Sequence, residues 1–137
     1  MNLLLEIVTP EKVVYKDEVS EVVAPTVNGE IAILPNHINL ITQINPGELI
    51  VKKNSSFQSL AITGGFLEVN DNKITVIVNY AIKAQDIEIA RVQEAKKRAE
   101  KVMQEKRTDK ELKIAQAELI KTILELKVAH KHKRRIT

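Results

Sequence analysis

The side chains with most scope for chemistry in this 137-residue sequence are three histidines and two clusters of cations; there is no cysteine. That absence removes disulfides, thiol nucleophiles and cysteine metal sites together. His37 has no nucleophile or acid beside it at a motif spacing, and no G-x-S-x-G occurs. His130 and His132 stand two apart on a helical stretch, hence on different faces, and no acid follows them. No catalytic or metal-binding residue is therefore expected. Phosphate-cradling loops are missing as well: there is no G-x-x-x-x-G-K-[ST], and Gly64-Gly65 lacks the helix that a dinucleotide loop requires, so it reads as a strand break or bulge.

The cations carry more information. Lys96-Lys97-Arg98 with Lys101 reads first as a solvated helix face. The tail Lys127, Lys131, Lys133, Arg134 and Arg135 has no acid among its cations. It is either a solubilising end or a surface for acidic protein, nucleic acid or anionic lipid. Aromatic residues make up only 3% with no tryptophan, which argues against a stacking platform for single strands.

These groups must be held by something, and the punctuation of the chain says what. Residues 1–85 carry six lysines against nine carboxylates, a net of −3, whereas 86–137 carry fifteen cations against nine acids, a net of +6. The first part is broken by tight corners: Asn28-Gly29, Leu34-Pro35-Asn36-His37, Asn45-Pro46-Gly47, Lys53-Asn54-Ser55-Ser56 and Asn70-Asp71-Asn72. Between them lie apolar runs at 2–8, 12–15, 19–24, 49–52, 57–63, 66–69 and 73–78, with Asp17-Glu18 read as a turn. Short strands at this spacing predict a β-sandwich ending near Ala84. His37 sits at the sharpest corner, where a plain polar turn residue and an exposed contact are both open readings.

From Asp86 onward there is neither glycine nor proline. Asp86 is placed to cap a first helix whose stripe is Ile87, Ala90, Val92, Ala95, Ala99, Val102 and Met103. Thr108-Asp109-Lys110-Glu111 fits a capping box for a second helix, with Leu112, Ala115, Leu119, Ile123 and Leu126 along its stripe and Ile120 alongside. A connection this short predicts an antiparallel pair. The expected fold is thus α+β and mainly β in its N-terminal part: a β-sandwich domain over 1–84, then a two-helix hairpin over 85–137. An alanine-lined seam buries little area, so the hairpin is expected to open readily.

In this order, the motifs resemble the epsilon subunit of bacterial and plastid F-type ATP synthases over nearly the whole length. The resemblance rests on Val8-Thr9-Pro10-Glu11, on the run from Gly29 to His37 with Pro46-Gly47, on Gly64-Gly65-Phe66-Leu67-Glu68-Val69, on Ile74 to Val78, on Asp86 to Glu100 and on Ala117-Glu118-Leu119. It implies a non-catalytic subunit of the central rotor, with no enzyme activity of its own. The β-sandwich would bind the gamma subunit and rest on the c ring, with Glu30 and His37 as contacts. The hairpin would inhibit ATP hydrolysis when extended, its basic second helix (Lys121, Lys127, Lys131, Lys133, Arg134 and Arg135) meeting acidic residues of the catalytic beta subunits; the alpha/beta catalytic subunits would thus be partners along with gamma and the c ring. Ala32 and Asn36 stand where glycine is common in the family, and Asn39 where proline is common.

Some relatives bind ATP through Ile/Leu-Asp-x-x-Arg-Ala. Here Ile87-Glu88-Ile89-Ala90-Arg91-Val92 has glutamate for aspartate and valine for alanine, which leaves Glu88, Arg91 and Arg98 as the candidate nucleotide contacts. No cofactor is expected. The apolar run near the N-terminus is far too short for a signal peptide or a span, so the protein is expected to stay where it is made. With the resemblance, that places it peripherally on the cytoplasmic face of a bacterial membrane, with the stromal side of a thylakoid as the alternative. Membrane contact would come only through the complex, and no nucleic acid would be bound. The rival reading is a free-standing basic module that binds nucleic acid or anionic lipid.

Overall fold

Ten strands and two long helices account for most of the chain in the computed structural model, which describes residues 2–136 and divides into units Met1–Lys83 and Ala84–Thr137. The strands are β1 (Leu3–Val8), β2 (Val13–Val19), β3 (Glu21–Thr26), β4 (Gly29–Ile33), β5 (Leu40–Ile44), β6 (Gly47–Lys53), β7 (Ser56–Ile62), β8 (Gly65–Asn70), β9 (Lys73–Val78) and β10 (Ala81–Lys83). They form two layers, β10-β7-β6-β3-β4 and β5-β8-β9-β1-β2. The ladder pair Thr26 to Ile44 connects β3 of one layer to β5 of the other. β1 runs parallel to β9, while the other paired strands are antiparallel.

Alternation puts one face of each layer inside. Leu3, Leu5, Ile7, Leu67, Val69, Ile74 and Val76 from one layer meet Val22, Ile33, Leu49, Val51, Leu60 and Ile62 from the other, all fully or almost fully buried. Each such side chain is worth roughly 1.5–3 kcal/mol on leaving water, so this core is the main source of stability in the unit.

The corners fall where turn chemistry puts them, with two differences. Asp17 and Glu18 are not a turn; they lie inside β2, an edge strand that leaves room for charge. There the Lys53 ammonium, 2.6 Å away, holds the Asp17 carboxyl below its ordinary range. The chain changes layer at Ser20 instead, whose hydroxyl donates to the Lys52 carbonyl at 2.8 Å and accepts from the Asn54 amide at 3.2 Å. Pro25 lies within β3 and does not end it.

The second unit begins with a 3-10 turn over Ala84–Asp86 and continues as α1 (Ile89–Gln104) and α2 (Asp109–Ile136). Asp86 closes that turn and does not cap α1; the N-cap position is Glu88, which makes no side-chain capping bond. At the start of α2 the capping box forms. The Glu111 amide donates to Thr108 Oγ1 at 3.2 Å, and the hydroxyl donates to Glu111 Oε1 at 3.0 Å. Arg107 bridges Glu105 and Glu111 across the connection. The Thr108 hydroxyl and the Arg107 guanidinium together hold the Glu111 carboxyl below its ordinary range.

The seam between the helices is lean. Val92 and Ala99 on α1 and Ala115 on α2 are buried, whereas Ala90, Met103, Ile120 and Ile123, expected in the stripes, are exposed. The buried side of α2 runs instead through Thr122, Glu125, Val128 and Ala129. A groove of about 460 Å³ lies along the seam, lined by Ala95, Ala99, Val102, Ile114 and Ala115 with Arg98, Glu111 and Glu118.

Candidate functional site

The corner after β4 is a type II turn. Pro35 fixes the first central position, Asn36 takes φ +69°, and the His37 amide donates to the Leu34 carbonyl at 3.2 Å. His37 Nδ1 lies 2.7 Å from the Ile38 carbonyl oxygen. A carbonyl only accepts, so Nδ1 carries a proton, and Nε2 is the ring nitrogen left for a partner. Leu34 and Ile38, in the same corner, are 52% and 79% exposed. The corner therefore combines an imidazole with two exposed apolar side chains.

Glu30 is exposed at the other end of β4, opposite Pro25 in the β3–β4 hairpin. The stretch from Glu30 to Ile33 alone spans on the order of 10 Å at ~3.3 Å per residue, so the two candidate contacts are not arms of one small site. They suit separate contacts to an extended surface.

An apolar patch that the motifs did not reveal lies on the outer face of the β5-β8-β9-β1-β2 layer. Phe66 pairs with Ile77, Ile77 with Val8 and Val8 with Val13, giving a row across four strands. Phe66 is 59% exposed and Ile77 57%, and Ile41 on the same face is 71% exposed. Outward positions of a half-solvated sheet are ordinarily polar. The signal was present in the sequence, since Phe66 alternates with inward Leu67 and Ile77 with inward Val76, but reading the row requires the register.

The six candidate cations of α2, from Lys121 to Arg135, do not form one patch. Lys127, Lys131 and Arg134 at i, i+4 and i+7 share a face, Lys133 projects elsewhere, and Lys121 lies more than a turn before them. Lys133, Arg134 and Arg135 occupy the last turn, where the helix dipole favours positive charge. On α1, the Glu88 carboxylate pairs with Arg91 at 3.5 Å and both are well exposed. Arg98, two turns beyond Arg91, lines the seam groove with two carboxylates, Glu111 and Glu118. Glu88, Arg91 and Arg98 are thus not gathered around one cavity. Among the described residues no group of three or more His, Asp or Glu is arranged to hold a metal, and no helix is long and apolar enough to cross a membrane.

Comparison with known proteins bears on the whole chain. The family model of the ATP synthase Delta/Epsilon chain beta-sandwich domain matches residues 2–84. The ATP synthase epsilon chain of Dehalococcoides mccartyi (strain CBDB1) is 44% identical over 134 residues, 97% of this chain and 96% of that one. That of Desulforamulus reducens is 40% identical over 125 residues, 91% and 95% of the two chains. Among solved structures, a chain of the Euglena gracilis mitochondrial ATP synthase (OSCP/F1/c-ring) superimposes with a TM-score of 0.67 at 19% identity, covering 99% of this chain and 82% of its own. One from the Tetrahymena thermophila mitochondrial ATP synthase central stalk/c-ring gives 0.64 at 19% identity, with 94% and 97% covered. The sandwich followed by two helices is therefore a shared fold, and by sequence identity over nearly its full length this chain belongs to the family of ATP synthase epsilon chains.

Proposed function

We propose that the chain is a non-catalytic subunit of the central stalk of a rotary ATP synthase, with residues 1–84 as its rotor-binding domain and 85–137 as a regulatory hairpin. The observation that carries the reading is the exposed apolar row Phe66–Ile77–Val8–Val13 on a sandwich whose core is otherwise well buried. A contiguous apolar patch on a sheet face is the usual mark of a protein interface. In this family it suits the gamma subunit. The corner around His37 and the β3–β4 hairpin bearing Glu30 suit a second, flatter contact, for which the c ring is the proposed partner. That the Tetrahymena neighbour comes from a central stalk and c-ring assembly supports a place in the rotor in general.

The hairpin would act as a brake on ATP hydrolysis. Its 16- and 28-residue helices would reach about 65 Å end to end at ~1.5 Å per residue if the seam opened. Lys127, Lys131 and Arg134 would then meet acidic residues of the catalytic subunits, with Lys121, Lys133 and Arg135 adding to the positive field. The subunit would associate with the membrane only through the complex, on the cytoplasmic face of a bacterial membrane, consistent with the bacterial relatives. ATP is not assigned to the hairpin, because Arg91 has Glu88 for a neighbour, and Arg98 lies apart from it in a groove shared with two carboxylates.

The test is reconstitution of the ATP synthase complex, stripped of this subunit, with the full chain or with residues 1–84. Both should dock, and only the full chain should slow hydrolysis. Equal hydrolysis rates would remove the brake, and failure of both to dock would remove the rotor assignment.

A further inference from the structure

The corner that carries His37 crosses from β4 in one layer to β5 in the other, so residues 34–39 have no sheet ladder of their own. What holds them comes from a turn 36 residues further along the chain. The Asn36 amide donates to Asn72 Oδ1 at 2.6 Å, and Asn72 Nδ2 faces Asn36 Oδ1 at 3.4 Å. Beside it, the Asp71 amide donates to Asn39 Oδ1 at 3.1 Å. The Asn72 carbonyl is itself tied to the Leu4 amide at 2.9 Å, which roots the arrangement in the buried strand β1.

The backbone explains why asparagine fits. Asn36, Asp71 and Asn72 have φ of +69°, +49° and +64°. Asp71-Asn72 is the two-residue loop of the β8–β9 hairpin, between the paired Asn70 and Lys73, and positive φ at both positions is what a type I′ turn requires. Asparagine tolerates that region, as glycine does, and unlike glycine it also brings a donor and an acceptor. The two turns thus become one clasped tip.

We propose that Asn72 is a positioning residue for docking: through its bond to the Asn36 amide it fixes the corner that presents His37 and Ile38 to the rotor surface. The inference rests on the docking role proposed above. An exposed loop held before contact loses less freedom on binding, so the clasp acts on affinity without touching the partner. Loss of one or two exchangeable hydrogen bonds predicts docking weakened about three- to tenfold.

The full chain is measured in two ways, by hydrogen exchange at the Asn36 amide and by its dissociation constant for the ATP synthase complex stripped of this subunit. Asn72→Gly keeps the left-handed backbone without strain and removes only the side chain. It should speed Asn36 exchange at least about tenfold and weaken docking by the factor above. Asn72→Asp retains the acceptor for the Asn36 amide and should recover most of both. Ile38→Asp serves as the control on the docking surface itself, and should weaken docking while leaving Asn36 exchange slow. If wild type docks and Ile38→Asp weakens it, but Asn72→Gly docks like wild type, the inference is overturned and the docking role stands. Weaker docking of Asn72→Gly with Asn36 exchange unchanged also overturns it, since Asn72 would then be touching the partner directly. If wild type fails to dock, both fall.

Discussion

Gly65 gives the sharpest test of the sandwich. It begins β8 between β5 and β9, paired with Ile44 on one side and Val78 on the other. A Cβ added there would overlap the Ile77 carbonyl oxygen and lie 2.9 Å from both the Ile77 carbonyl carbon and Val78 Cα. These are backbone atoms of a central strand, so no side chain can swing away. Restoring ordinary contact at ~3.5 Å or more means parting β8 from β9 by on the order of 1 Å. That weakens about two ladder bonds at ~1 kcal/mol each and adds ~1–3 kcal/mol of overpacking strain. Gly65→Ala should therefore cost about 3–5 kcal/mol, a large part of the ~5–15 kcal/mol available to a domain, and lower the melting temperature by on the order of 15 °C. The neighbouring residue is the control. A Cβ on Gly64 would sit 3.3 Å from the Ile44 carbonyl oxygen and 3.9 Å from Pro46 Cδ, so Gly64→Ala should stay within about 1 kcal/mol of wild type. Urea and thermal melts of both variants read the difference. Parity between them, or a Gly65→Ala loss below about 1 kcal/mol, would refute the register that also lines up Phe66 with Ile77.

Phe66→Ser removes an exposed apolar group, so stability should hold within about 0.5 kcal/mol while binding to the stripped complex weakens about tenfold or more; titration of labelled protein checks both. Thr108→Ala should cost about 1 kcal/mol of hairpin stability, seen as earlier loss of helical circular dichroism on heating. Glu111 ionises below its ordinary 4.5, so its stabilising contribution is complete above that value and disappears as pH falls through its lower folded-state value; the melting difference between wild type and Glu111→Gln should shrink on acidification below about pH 4. Ala95→Leu fills part of the seam groove and should stabilise the closed hairpin by ~1 kcal/mol. If opening is the braking step, that variant should inhibit hydrolysis less, and unchanged inhibition with a raised melting temperature would count against the opening mechanism.

Local chemistry made most of the fold legible in the sequence. Pro35, Gly29, Asn54 and Asp71-Asn72 mark corners because proline fixes φ and the others accept positive φ, and Thr108 with Glu111 marks a helix start because both partners of the cap lie within four residues. What escaped depends on contacts distant in sequence. Asp17-Glu18 carry a turn composition, yet they form strand because β2 has β1 on one side and solvent charge chemistry, through Lys53, on the other. Ile120 and Ile123 satisfy a helical spacing but are exposed, since α1 offers α2 only a narrow line of small residues to pack against. At the candidate site, His37 at a corner was readable, whereas the partners that hold the corner, Asn36 with Asn72 and Asn39 with Asp71, stand more than thirty residues apart and appear only once the chain is folded.

The two units differ in how strongly their own packing constrains them, and the proposed division of labour follows from that difference. The sandwich buries Leu, Ile or Val on every strand from β1 to β9; β2, β4 and β5 contribute one each, Val19, Ile33 and Ile44, at their ends. Truncating such side chains to alanine ordinarily costs 2–5 kcal/mol each, so a surface fixed to this core keeps its shape. In the hairpin seam, several positions are alanine already, and there is little left to truncate. Its folded form leans on local devices instead: the Thr108 cap, the Arg107 bridge and the short connection between α1 and α2. Each α-helix keeps its own hydrogen bonds, and α2 keeps the Thr108 cap, when its neighbour leaves. Separating α1 from α2 would therefore forfeit only a lean seam, whereas moving any strand would breach the core. A docking surface belongs on the first kind of structure and a moving element on the second.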